Sequence, residues 1–515
     1  MRALYKYFVF GSIFLYLLTV GSCRNDKDAP NIVFIMADQY RTAALGFLEQ
    51  DPVITPNIDR LASEGIFFSN ATSTMPVCSP YRAMLMTGNY YTINNVPMNC
   101  LSDNPGNYLR TDDNTILDAL AASGYNVGYI GKWHLEEPKE PYVTSGNNAG
   151  PGKANWEEWT PPERRHGVQF WYAYNTFDNH FKPHYWTNKS TRDKRLEIEE
   201  WSPIHETSVA IDFIKNTDGT FRDTRKPFAL FVSYNPPHTG YSYVPEKYRD
   251  LYKDMTFEQL NTRESVLPGS PGEDHARRVL ADYFACVTGI DEQVGRIMEC
   301  LVEQGLRKNT ILVFTSDHGN CLGAHNHVTK NIFWEESFSV PLIISWPGKT
   351  GIGVSDILIS PTDLFPTLAA LAGIGSGDVQ GMDLSQKIVT GEGKEPLGAL
   401  YAYLTHSQAD SLVGGFPGKA WGERGFRIKD YMLVVNKLPG EPTVYYLSDL
   451  KADPFQMRNI ALQNRELATA ILEDLLNPKL ESIGDEWYRI PVTKQSSYPN
   501  NLRELQPAAP VWGMR

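Results

Sequence analysis

The chain has 515 residues, a formal net charge of −12, 42% hydrophobic and 21% charged residues. That balance describes an ordinary globular protein, and the absence of any basic run or stripe argues against nucleic acid as a partner. Six cysteines in a chain this long do not make a disulfide scaffold.

The first 23 residues read as an address. Arg2 and Lys6 form a basic start, and Phe8 to Val20 is an apolar run too short to span a bilayer comfortably. Val20-Gly21-Ser22-Cys23 is similar to a bacterial lipobox, which implies that Cys23 is acylated and becomes the new N-terminus. An ordinary signal peptide cut nearby is the alternative. Residues 24–29 read as a polar tether. No later segment is long and apolar enough for a transmembrane helix, so the body is expected in the bacterial cell envelope, periplasmic or at the outer surface, touching membrane through its N-terminal lipid only.

From there strand and helix alternate. Asn31 to Ala37 (NIVFIMA) is a continuous apolar run, as expected of a strand covered on both faces. Thr55-Pro56 opens a helix through Ala62, with Thr55 placed to cap it. A helix over Asn114 to Ala122 leads to strand Tyr125 to Ile130, and one near His205 to Lys215 leads to strand Phe228 to Tyr234. A long helix, Asp274 to Gln304, leads to strand Thr310 to Thr315; Val340 to Trp346 is one more strand and Thr362 to Ala372 one more helix. The fold class is α/β: a large, mainly parallel sheet sandwiched by helices over residues 30–390. After Gly391 close-set strands follow (Leu397 to Leu404, Gly425 to Ile428, Tyr431 to Val435, Val444 to Leu447) with a helix near Arg465 to Leu476, so residues 391–515 read as a smaller antiparallel α+β subdomain.

Between His134 and Glu200 lies an aromatic-rich insertion containing Trp156, Trp159, Phe170, Trp171, Tyr172, Tyr174, Phe177, Tyr185 and Trp186. It either covers the sheet or walls a pocket that stacks on sugar rings. Cys286 and Cys300 stand fourteen residues apart in one helix, about 21 Å, too far for a bridge. Whether Cys100 and Cys321 pair is left open.

Ligands of an open parallel sheet bind beyond the carboxyl ends of its strands. Four strands here run into reactive residues: Asp38-Gln39, Gly131-Lys132-Trp133-His134, Asn235-Pro236-Pro237-His238 and Asp317-His318-Gly319. Asp38, Gln39, Asp317 and His318 offer ligands to Ca²⁺, Mg²⁺ or Mn²⁺. Arg82, Lys132 and Lys330 can neutralise a tetrahedral anion, and His134 and His238 can move protons.

Cys78-Ser79-Pro80-Tyr81-Arg82 resembles the sulfatase signature Cys-x-Pro-x-Arg, and NIVFIMADQ, GKWHL, NPPH, TSDHG, Gly323-Ala324-His325 and Lys330 agree with it in order. Val340-Pro341-Leu342, Ser360-Pro361-Thr362-Asp363 and Tyr446 to Ala461 fit too, so the chain is identified as a member of the type I, formylglycine-dependent sulfatases of the alkaline-phosphatase-like superfamily. The resemblance implies that a maturase converts Cys78 to formylglycine, whose hydrate is the nucleophile at a helix N-terminus. It also implies that Asp38, Gln39, Asp317 and His318, with Cys78 beside them, hold a metal, normally Ca²⁺. Arg82 and Lys132 would stabilise the formylglycine and the sulfate, with Lys330 on the sulfate too; His134 would contact the nucleophile and take a proton from its second hydroxyl, and His238 would protonate the leaving alcohol. One gem-diol oxygen attacks sulfur, and deprotonation of the other then expels sulfate, a step that a thiol cannot make.

Many sulfatases carry two successive Asp residues where this chain has Asp38-Gln39, one negative charge fewer at the metal, so Mn²⁺ or Mg²⁺ stands beside Ca²⁺ as the expected ion. The expected substrate is a sulfated carbohydrate, attacked from a chain end and carrying sulfated galactose or N-acetylgalactosamine. The alternatives are a phosphodiester or phosphonate monoester hydrolase, a choline-type sulfatase, and a silent glycan-binding lipoprotein, against which the complete set of reactive residues argues.

Overall fold

The computed structural model describes residues 29–144, 154–404, 421–492 and 496–498. The lipobox-like stretch and Cys23 lie outside the described residues. No helix among the described residues is long and apolar enough to cross a membrane.

Ten strands build the main sheet: β1 (Asn31–Ala37), β2 (Ile66–Ala71), β3 (Asn126–Lys132), β4 (Phe170–Tyr174), β5 (His184–Thr187), β6 (Leu196–Glu197), β7 (Phe228–Tyr234), β8 (Thr310–Thr315), β9 (Leu342–Ser345) and β10 (Gly353–Ile359). Their order is β10-β2-β9-β8-β1-β7-β3-β4-β5-β6. From β8 through β4 every neighbouring pair is parallel. β9 runs antiparallel to both β8 and β2, and β5 and β6 turn antiparallel at the far edge.

The expected parallel α/β core is therefore present, inside a mixed sheet. The pattern follows from burial. β1 is buried at every position because its side chains alternate between two cores: Ile32, Phe34 and Met36 join Tyr81, Leu85 and Leu364 on one face, while Val33, Ile35 and Ala37 join Phe284, Ile290 and Val294 on the other. The first core is covered by helices Cys78–Thr87, Ile116–Ala122 and Pro361–Ala372, the second by the helices Ser202–Lys215 and Pro271–Glu303.

Two details depart from the sequence reading, and a third answers a question that it left open. β2 and β10 were not expected; β10 is exposed over its first half, so it lacks the apolar run that marks an interior strand. Thr55 sits at the N-cap of helix Pro56–Ser63 without capping it. Its hydroxyl accepts the Gly46 N–H (2.7 Å) and donates to Asp59 (2.9 Å), while Asp291 of the long helix accepts the N–H groups of Asn57 (2.9 Å) and Ile58 (2.7 Å). Cys100 and Cys321 are both free and belong to cores on opposite faces of the sheet; Cys286 and Cys300 are unbridged, as expected, and both are buried.

The insertion mostly covers the sheet. Trp171, Tyr174, Tyr185 and Trp186 are buried, and their segment supplies β4 to β6. The C-terminal part forms a five-stranded sheet, β11 (Ala399–Leu404), β12 (Gly422–Arg427), β13 (Tyr431–Lys437), β14 (Thr443–Asp449) and β15 (Ser496–Ser497), antiparallel except for β15. Its core takes in Met75, Met84, Tyr90 and Tyr91 from around the Cys78 helix, so this sheet buttresses that helix from outside.

Replacing Asp291 strands two helix-terminal N–H groups, that of Ile58 fully buried. Asp291→Ala is expected to cost about 1–3 kcal/mol, read as a lower urea midpoint with an unchanged slope.

Candidate active site

The reactive groups gather where the parallel strands end. Asp38 follows β1, Asp317 lies two residues past β8, Lys132 is the last residue of β3 and Asn235 follows β7. Gln39 and His134, just beyond β1 and β3, take left-handed backbone conformations with φ of 66° and 53°, the kind of strain that the surrounding structure must hold in place. Cys78 is the first residue of its helix, all of which is buried. Its sulfur thus meets the strand ends at a helix N-terminus, where the dipole favours an anion.

All ten residues singled out from the sequence fall in this region, though not equally close. The Cys78 Sγ lies 3.4 Å from His318 Nε2, 3.2 Å from Lys330 Nζ, 3.8 Å from Lys132 Nζ and 3.8 Å from Asp38 Oδ1. Arg82 does not reach outward from the helix. It donates to Asp317 Oδ2 from Nε (3.1 Å) and Nη2 (3.0 Å), to Asp38 Oδ2 (3.0 Å), and to the Lys132 carbonyl and Ser233 hydroxyl (2.8 Å each). Lys132 makes an ion pair with Asp38 Oδ2 at 2.6 Å and donates to Asn235 Oδ1 at 3.0 Å. Lys330 also donates to Gln39 Oε1 at 3.3 Å. Both ring nitrogens of His134 are buried without a hydrogen-bond partner, and its ring lies 5.9 Å from that of Trp156. His238 stands further out, its Nδ1 3.0 Å from Asp178 Oδ1.

The electrostatics follow from burying these charges together. Burial works to raise the Asp38 carboxyl, but Lys132, His238, Lys330 and His318 hold it well below the usual carboxylate range. The Asp317 carboxyl is pushed up, by burial and then by the charge of Asp38. Burial and Asp38 oppose ionisation of the Cys78 thiol, yet Lys132, Lys330 and His318 bring it well below its ordinary value. Burial holds the His134 imidazole down at about 4 despite the sulfur beside it, so it is neutral and able to accept a proton near pH 7.

The donor set fits a divalent cation. One ligand atom each from Asp38, Cys78, Asp317 and His318 lies within 4.8 Å of the others, and all four residues are buried. Arg82 and Lys132 occupy the Oδ2 oxygens, whereas both Oδ1 oxygens turn to His318 Nε2, 3.5 Å from each. Oxygen and imidazole donors suit Ca²⁺, Mg²⁺ or Mn²⁺. A cation there would also offset the burial and the Asp38 charge that push the Asp317 carboxyl up. Gln39 Oε1 accepts from Lys330 Nζ, while its Nε2 donates to the Tyr241 hydroxyl at 3.3 Å.

Sequence reasoning passed over Asp178, Ser233 and Tyr241, which touch the expected residues, and gave Asn235 no role of its own. Asn235 was visible in the NPPH run. Asp178 was hidden among the aromatics of the insertion.

The chain is similar to known proteins. The family model described as Sulfatase matches residues 30–374, and the one described as N-sulphoglucosamine sulphohydrolase, C-terminal, matches residues 323–483. An endo-4-O-sulfatase of Bacteroides thetaiotaomicron is 35% identical, over 92% of this chain and 97% of its own length. An ulvan-active sulfatase of Formosa agariphila is 31% identical, over 95% of this chain and 88% of its own. Among solved structures, the yidJ protein of Bacteroides fragilis superimposes with a TM-score of 0.83 at 42% identity, covering 90% of this chain and 97% of that one.

Millimolar Ca²⁺ or Mn²⁺ added to chelator-treated protein is expected to raise the thermal midpoint, since saturation a hundredfold above Kd contributes about 2.7 kcal/mol. Asp317→Asn should lose most of that shift. Calorimetry with and without chelator checks both, and an unchanged midpoint in the unsubstituted protein would contradict the cation site.

Proposed function

The chain belongs to the sulfatase family and hydrolyses sulfate esters; on that premise we propose that its substrates are sulfated glycans, attacked by a formylglycine made from Cys78 with Ca²⁺ as the metal. The observation that carries the reading is the convergence of Lys132, Lys330 and His318 on the Cys78 sulfur, beside two buried carboxylates. The names of the two curated relatives support a glycan.

Formylglycine, as its hydrate, would supply a nucleophilic oxygen and a second hydroxyl whose deprotonation releases the product; a cation held by Asp38, Gln39, Asp317 and His318 would supply positive charge to stabilise the charge that develops. Every other part of the work falls to the chain. Arg82 keeps Asp38 and Asp317 together and turned toward the metal position. Lys132 and Lys330 bind the sulfate from two sides, which an acidic protein needs locally because its overall charge repels the substrate. His134, neutral and without another partner, takes the proton of the second hydroxyl. His238, at the outer rim, gives a proton to the departing sugar oxygen. Trp156, beside His134 and only partly buried, remains available to stack on a sugar ring.

The depth of the site supports an exo mode: Cys78 is 1% exposed and Lys132 0%, so a terminal sugar entering end-on reaches it most easily. The name of the Bacteroides thetaiotaomicron relative favours an endo mode as a second reading. Val20-Gly21-Ser22-Cys23 supports a lipid anchor at Cys23 in the cell envelope, and the Cys-x-Pro-x-Arg run supports a formylglycine-generating maturase as partner.

Protein from a maturase-competent host should release sulfate from N-acetylgalactosamine 4-sulfate at the end of an oligosaccharide faster than from the same unit inside it. The reverse order would establish the endo reading. Cys78→Ala should lower turnover by at least about 10³-fold. An aryl phosphodiester cleaved faster than any sulfate ester would overturn the substrate class.

A further inference from the structure

We propose that Asp178, contributed by the aromatic insertion, is the positioning residue that fixes His238 with its Nδ1 protonated and its Nε2 turned to the leaving group. This rests on the reading of His238 as the leaving-group acid.

Asp178 Oδ1 sits 3.0 Å from His238 Nδ1 and accepts from Asn235 Nδ2 at 3.1 Å. The orientation of the Asn235 amide is set by its surroundings. Its Nδ2 also donates to the Phe177 carbonyl (2.8 Å), and its Oδ1 accepts from Lys132 Nζ (3.0 Å). A carboxylate only accepts, so the hydrogen between Asp178 and His238 resides on Nδ1. The Thr239 hydroxyl, 3.0 Å from the same Nδ1, then cannot donate to it and turns to Asp178 Oδ2, 3.5 Å away. Nε2 is left as the nitrogen that exchanges protons. The imidazolium gives its Nε2 proton to the departing oxygen as the S–O bond breaks, and becomes a neutral ring still hydrogen-bonded through Nδ1–H.

The two loops meet backbone to backbone. Gly240 has φ of +95°, and a Cβ there would come within 2.7 Å of the Asp178 carbonyl oxygen. The charges agree with the geometry. Burial, Lys330 and Lys132 all press His238 to lose its proton, and Asp178 heads the groups that raise it above its ordinary value. The His238 side chain is 13% exposed and that of Asp178 34%, so the pair lies at the mouth of the site, where a leaving group departs.

The test uses matured full-length protein and a series of aryl sulfates, from 4-nitrophenyl to 4-methoxyphenyl, whose leaving groups need protonation to increasing degrees. Asp178→Asn should lose about 10–10²-fold in kcat/KM on 4-methoxyphenyl sulfate but only a few-fold on 4-nitrophenyl sulfate. The double variant with His238→Ala should be no slower than His238→Ala alone. A loss equal across the series, or losses that multiply in the double variant, would overturn the proposal. If His238→Ala shows leaving-group dependence and Asp178→Asn does not, only the role of Asp178 falls. If His238→Ala shows none, the acid assignment fails and this inference fails with it.

Discussion

Two carboxylates buried side by side at the ends of β1 and β8 impose the constraint around which this site is arranged. Left alone, Asp38 and Asp317 would repel each other in a medium that screens charge poorly. The Arg82 guanidinium answers both, donating to an Oδ2 of each, and Lys132 adds a second cation on Asp38. Arg82 stands one turn into the helix that begins with Cys78, so this neutralisation also locks the reactive sulfur against the strand ends. The Oδ1 oxygen of each carboxylate remains turned to His318, which leaves the pocket two oxygen donors for a divalent cation.

The rest of the fold supports that helix. The sheet presents the strand ends, the Asp363-containing helix Pro361–Ala372 packs within the same core, and the C-terminal sheet closes over Met84 and Tyr91 from the other side. The C-terminal part is therefore a wall of the catalytic domain as much as a subdomain. Its strand β12 also sends Arg427 to Glu335 at 3.0 Å, close to the segment carrying Lys330.

How much was legible in the sequence depended on burial. β1, β7 and β8 are covered on both faces, read as unbroken apolar runs, and end within a residue of where they were expected. β10 is an edge strand and β2 mixes Ser69 and Asn70 into its run, so neither carried that signal. The site residues were legible because chemistry follows strand ends in such sheets and because Cys78 to Arg82 forms a compact motif. What sequence could not show is contact across distance. Asp291 caps a helix 233 residues away from it in the chain. Asp178, one carboxylate among many aromatics, gains meaning only once its loop is laid against His238.

The central claim, that this pocket works through a converted Cys78, is tested most directly by peptide mass spectrometry across Cys78 on protein whose sulfate-ester turnover is measured in parallel. The account predicts a loss of about 18 Da, thiol to aldehyde, and turnover proportional to the converted fraction from one preparation to the next. Full turnover by protein carrying only unmodified cysteine would contradict it.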